Sequence, residues 1–242
     1  MHNFIGELMG TMILVLLGDG VIANVLLKKS KGESSGWIVI ATGWGFAVAM
    51  AVYIAGWVSG GHINPAVTLG FITIGQMTFK EALPYFAGQF TGAFLGAILV
   101  WLAYLPHWKA TDNADNKLAV FCTMPAIRNY KLNLLAEIIA TAMLLIGVLG
   151  IFDIHNSIST GVAPYIIGLL VFSIGLSLGG PTGYAINPAR DLAPRIAHFI
   201  LPIHGKRDSD WSYSWVPVIG PVIGCMIGAI IYKLVFAEYL GQ

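Results

Sequence analysis

Six runs of about twenty apolar residues, near 4 to 27, 37 to 58, 82 to 104, 133 to 152, 163 to 180 and 215 to 237, take up most of this chain. A helix of roughly that length crosses the hydrocarbon of a bilayer, where only helices and closed barrels satisfy their own backbone. The connections near 28 to 36, 105 to 132 and 202 to 214 carry the Lys, Ser, Asp and Asn clusters expected of loops. With 57% hydrophobic residues, 10% charged residues and a mean hydropathy of +0.76, a soluble globule is excluded. The predicted class is an all-α, multi-pass protein of the cell membrane. Its first run lacks a basic leader and is long enough to stay as a span, so no cleavable signal peptide is expected.

Two further apolar stretches, 64 to 75 and 187 to 201, are too short to cross. Each opens on the same tripeptide, Asn64-Pro65-Ala66 and Asn187-Pro188-Ala189, after the small-residue stretches SGGHI and TGYAI. Asn is a favoured helix N-cap and Pro fits the next position, where no N–H donor is needed. Each tripeptide therefore reads as the start of a half-helix. The irregular backbone before it is tolerable at membrane depth only where protein buries it or water wets it.

The chain also repeats itself. Glu7-xxx-Thr11 in the first span recurs as Glu137-xxx-Thr141 in the fourth, and Gly88, Gly92, Gly96 in the third span recur as Gly220, Gly224, Gly228 in the sixth. Each half holds three crossings, an odd number, so the second half enters from the opposite face. The expected architecture is one channel domain over 1–242, built from inverted repeats at about 1–104 and 133–242 and joined by a loop at 105–132. The two half-helices then meet tip to tip near the midplane. The glycine stripes are expected to let helices of the two halves approach closely.

At such a meeting point each helix presents a positive end of about half an elementary charge. The Asn64 and Asn187 amide NH2 groups are expected to point into open space as donors. The non-helical Gly60, Gly61, His62, Gly183, Tyr184 and Ala185 leave carbonyls free as acceptors, and the Val, Ile, Leu and Phe of the spans supply an apolar wall. Arg190, in the first turn of the second half-helix, is costly in a span unless it faces water or a partner, so it is expected to line the pore, binding hydroxyl oxygens and repelling cations. Asp191 suits the first helical turn and is expected to anchor the loop that holds Arg190. Glu7 and Glu137 are expected to accept hydrogen bonds from the re-entrant backbone. In the competing reading, a proton-coupled secondary transporter, Glu7, Glu137 or Asp19 would carry the proton.

Other classes find little support. A net charge of +1 gives no basic face for nucleic acid. Cys122 and Cys225 lack metal-ligand spacing and read as unpaired structural thiols. Neither a nucleophile-base pairing, a metal cluster nor a phosphate loop is evident, so neither enzyme activity, metal nor cofactor is expected.

Six spans, an inverted repeat, two Asn-Pro-Ala half-helices and the arginine after the second resemble the aquaporin, or major intrinsic protein, family across essentially the whole chain. Arg190-Asp191 and the GWGFAVAMAVY stretch of the second span resemble its aquaglyceroporin or glycerol-facilitator branch. The resemblance implies a selectivity filter of Trp44, Gly175, Tyr184 and Arg190. Trp44 and Tyr184 would form an apolar corner for a polyol's carbons, Arg190 would hold its hydroxyls, and Gly175 would leave volume for three carbons, where water-selective members commonly carry His. Glycerol facilitators often have Phe in place of Tyr184. The implied function is passive diffusion of glycerol, some water and further small neutral solutes such as dihydroxyacetone or urea, the alternative being a water-selective channel. Homotetramers in the lipid bilayer are implied too. So are cytoplasmic termini, which sets the Lys-rich connections 28 to 36, 105 to 132 and 202 to 214 outside, against the positive-inside tendency.

Overall fold

A computed structural model describes residues 1–159 and 161–236. Among these residues ten α-helices follow one another: α1 (His2–Leu26), α2 (Trp37–Ser59), α3 (Pro65–Thr73), α4 (Phe79–Ala103), α5 (Leu105–Ala110), α6 (Ala114–Phe121), α7 (Tyr130–Ile151), α8 (Ala163–Leu178), α9 (Pro188–Ile200) and α10 (Val216–Phe236). Ala237, the last residue of the sixth expected span, and the end of the second expected repeat lie outside the described residues. The protein is an all-α membrane protein. Five helices have membrane-crossing length and apolarity: α1, α2, α4, α7 and α10. The fifth expected span, α8, is shorter, at 16 residues, and its chain continues as irregular backbone into the second half-helix.

Local chemistry sets the helix starts. Thr78 and Glu81 form a reciprocal capping box ahead of α4, and the side-chain oxygens of Asn113 and Asn129 cap α6 and α7. The connection at 105 to 132, expected as a loop, contains α5 and α6. Both are too short for apolar periodicity to reveal, and tertiary burial of Trp108 and Phe121 holds them in place. Lys117 of α6 donates to the His204 and Gly205 carbonyls, tying this connection to the last one.

The full-length helices pair as α1 with α4, α7 with α10, and α2 with α8, while α3 lies on α10 and α9 on α4. Glycine makes the first two pairings possible. A Cβ on Gly92 would stand 2.2 Å from the Leu8 carbonyl oxygen of α1, and one on Gly224 would stand 2.5 Å from that of Ile138 in α7. The stripes thus join helices inside each half, a correction to the expectation that they pack the halves together. Between the halves, contact at the α2–α8 crossing is made by Gly45 and Gly168, each facing the other's carbonyl.

Candidate functional site

Two carboxylates organise the interior. Glu7 on α1 accepts from Ser59 Oγ at 2.7 Å, from the backbone N–H of His62 at 2.9 Å and of Ile63 at 2.7 Å, and from Gln89 Nε2 at 2.7 Å. Glu137 on α7 accepts from Thr182 Oγ1 at 2.6 Å and from the backbone N–H of Ala185 at 3.0 Å and Ile186 at 2.9 Å. Both glutamates are fully buried. A carboxylate accepting several donors from one loop fixes that loop's shape. It enforces a costly one: Ile63, Tyr184 and Ile186 sit at φ of 46°, 40° and 44°, a region that branched and bulky side chains avoid.

In that conformation the loops turn their carbonyls away from their own helices. The carbonyl oxygens of Gly60, Gly61, His62, Gly183, Tyr184 and Ala185 accept no hydrogen bond from any described protein group. Those of the next residues do: Asn64 Nδ2 donates to Ile186 O at 2.7 Å, and Asn187 Nδ2 donates to Ile63 O at 2.8 Å. Each asparagine's side-chain oxygen caps its own helix, Asn64 taking the Ala66 N–H and Asn187 those of Ala189 and Arg190. Half of the expected open donor capacity is therefore spent, because each NH2 commits one hydrogen to the opposite loop and leaves one. Ile63 and Ile186 went unrecognised in the sequence, although Ile-Asn-Pro-Ala is repeated whole.

A cavity of about 300 Å³ runs along these groups. Both asparagines and both loops line it, and Leu14, Val48, Val52, Val148, Ile167 and Val171 supply apolar wall. At one end Trp44, Tyr184 and Arg190 are shared with a second cavity of about 130 Å³, so these three side chains stand at the constriction between them. At the other end Phe71 and Phe152 are shared with a third, of about 360 Å³. The central cavity thus adjoins both of the others.

Arg190 is 5% exposed, with its Cζ 4.0 Å from the centroid of the Trp44 ring. Its guanidinium makes no hydrogen bond to a described protein acceptor, and Asp19 Oδ1 lies 3.7 Å from Nη1. Asp19 on α1 was singled out in the sequence only as a proton carrier. Gly175 stands beside Tyr184 but does not line these cavities. Its carbonyl accepts from Trp37 Nε1 at 2.9 Å, and a Cβ on it would meet Tyr184 Cζ and Oη at 2.8 Å. The volume expected for solute at Gly175 goes to the Tyr184 ring, which is held edge-on by Trp37 at 5.8 Å.

His62 also lines the central cavity. Its ring is bonded locally, Nδ1 to Thr68 Oγ1 at 3.0 Å, and is stacked on Phe71. Asp191 accepts from the N–H and hydroxyl of Thr123 and from Arg195 Nε and Nη2, which ties the start of α9 to the connection at 105 to 132. Arg195 reaches on to the carbonyls of Ser209, Asp210 and Thr123. This buried cluster roots α9, and with it Arg190, in the connections at 105 to 132 and 202 to 214. Its sequence signal was Asp-xxx-Arg, one helical turn apart on a buried helix.

The comparisons agree with one another. The chain is 64% identical over 236 residues to the probable glycerol uptake facilitator protein of Thermotoga maritima, covering 98% of this chain and 100% of that one. To the glycerol uptake facilitator protein of Streptococcus pneumoniae it is 53% identical over 222 residues, 91% of this chain and 93% of that one. The X-ray structure of the aquaglyceroporin from Plasmodium falciparum matches with a TM-score of 0.88 at 30% identity, covering 99% of this chain and 98% of that one. The family model described as Major intrinsic protein matches residues 1–232, and the chain belongs to that family.

Proposed function

We propose that this protein is a passive channel for glycerol and other small neutral solutes, with some water, and that it does no covalent chemistry on them. One observation carries the reading: Arg190, its hydrogen-bond donors free, stands over the Trp44 ring and beside Tyr184 at the constriction shared by two cavities. A polyol has one edge of hydroxyls and one of carbon. The hydroxyls would accept from Arg190 and from the asparagine amides and donate to the free carbonyls, while the carbons would face Trp44 and the apolar wall. Cations would meet two positive helix ends. Glu7 and Glu137, each held by at least three donors, serve as scaffold.

The relatives named as glycerol facilitators support this substrate class, and the matched positions of Glu7 with Glu137, Ile63 with Ile186 and Asn64 with Asn187 support two inverted repeats in one domain. The reading includes assembly as a homotetramer with a pore in each subunit. Stopped-flow light scattering on proteoliposomes tests the function: glycerol should enter many times faster than into empty vesicles, and equal rates would reject it.

A further inference from the structure

α1 carries a carboxylate that the scaffold does not use. Asp19 is fully buried, and neither of its oxygens accepts a hydrogen bond from any described group, whereas Glu7 on the same helix takes four. Its one charged neighbour within 4 Å among the described residues is Arg190, whose Nη1 faces Asp19 Oδ1 at 3.7 Å and has no hydrogen-bond acceptor. The residue before it completes the arrangement. A Cβ on Gly18 would stand 2.3 Å from Trp44 Cζ3, so Gly18 admits the indole that covers the guanidinium while Asp19 backs it.

The charges along the conduit show what this arrangement does. Two helix ends of about half an elementary charge each, plus one guanidinium, sum to roughly +2 in a low-dielectric passage, a field that concentrates anions. A carboxylate behind the guanidinium cancels the part located at the constriction. We infer that Asp19 is a specificity-determining residue of the filter, acting through Arg190: its negative charge lets the arginine offer donors to a neutral solute without drawing anions into the conduit. This rests on the reading of Trp44, Tyr184 and Arg190 as the filter. Asp19 is a positioning residue, since Arg190 and not Asp19 meets the solute.

The experiment uses purified protein in proteoliposomes, with glycerol and nitrate as separate probes. Nitrate has no neutral form at working pH, so its flux reports ion passage. At an effective dielectric near 20, removing a negative charge about 6 Å from an anion is worth roughly a hundredfold in rate. Asp19→Asn should therefore raise nitrate permeability at least about tenfold over the original protein, and Asp19→Glu, which keeps the charge, should not. The double variant Asp19→Asn/Arg190→Leu removes both charges and should return nitrate flux to the original level, which mere loosening of the helices would not do. Should Asp19→Asn fail to assemble, Asp19→Ser carries the same expectation. Nitrate flux unchanged in a folded, neutral Asp19 variant, or a gain that persists in the double variant, would overturn the inference. Absence of glycerol flux in the unsubstituted protein would instead sink the functional reading.

Discussion

Replacing Glu137 by Gln keeps the volume and removes one acceptor. The carboxylate's Oε1 takes Thr182 Oγ1 and the Ala185 N–H, and its Oε2 takes the Ile186 N–H. A glutamine can put its carbonyl at the first position, and its NH2 then faces the Ile186 N–H, donor against donor. One buried N–H and one buried amide lose their partners, at about 1 to 3 kcal/mol each, so the variant should be destabilised by roughly 2 to 6 kcal/mol. For a chain of this size that corresponds to a fall of about 4 to 24 °C in the thermal midpoint, read in detergent by fluorescence-detected size exclusion. Function should fail as well. Ile186 holds φ at 44° because its N–H is tethered; released, it relaxes by about 1 to 3 kcal/mol and withdraws the carbonyl that receives Asn64 Nδ2 at 2.7 Å. Glycerol flux through the folded fraction should drop about tenfold, a rise of near 1.4 kcal/mol in the barrier. A variant that melts within 2 °C of the original and conducts equally would refute the claim that the carboxylate holds the loop.

Three further outcomes follow from the same coordinates. Gly92→Ala places a methyl 2.2 Å from the Leu8 carbonyl and should cost about 1 to 3 kcal/mol in thermal unfolding, whereas Gly20→Ala, with nothing within 4 Å, should cost well under that. Gly175→His must displace the Tyr184 ring that fills its place; on the proposed reading glycerol flux should fall at least about tenfold and water flux much less, and equal losses in the two light-scattering assays would contradict it. Outside the spans, burial pushes the Asp210 carboxyl up, but the two-pronged hydrogen bond and charge of Arg128 outweigh this and hold it below the usual carboxylate range. A depressed carboxylate stabilises above its unfolded pKa and loses that contribution as pH falls through its folded value. Arg128→Met should therefore lower the unfolding free energy at neutral pH by about 1 kcal/mol at most, since Arg128 is exposed, and the gap should close below about pH 4; a gap that persists in acid would rule out the ion pair as its source.

Much of this fold is visible along the chain because its two strongest signals are local. Apolar runs long enough to cross a bilayer, and an Asn-Pro step that can only begin a helix, place six spans and two half-helices without reference to partners. What escaped depends on neighbours distant in sequence. Helix α6 packs on α1 and α9 and α5 buries Trp108, and stretches of 6 and 8 residues are too short for apolar periodicity to announce that. A glycine stripe declares close approach but not to which helix, so Gly92 could be assigned to Leu8 only with both in place. Gly175 reads as open volume until Tyr184, nine positions on, is seen to occupy it. Asp19 reads as an isolated acid because its arginine lies in the other half of the chain.

The crossed bonds at the centre connect rigidity to selectivity. Asn64 is fixed by the Ile186 carbonyl, whose own N–H is held by Glu137; Asn187 is fixed by the Ile63 carbonyl, whose N–H is held by Glu7. Each half-helix tip is thus positioned by a carboxylate in the opposite half of the chain. Groups committed in this way cannot turn to surround an ion, and apolar side chains such as Leu14, Val48 and Val171 line the same cavity. An ion entering would give up its hydration for a partial shell and face positive helix ends, an uncompensated desolvation. A neutral polyol gives up a few hydrogen bonds and is offered donors and acceptors already in position. On the proposed reading, a static scaffold admits the one and refuses the other with no moving gate.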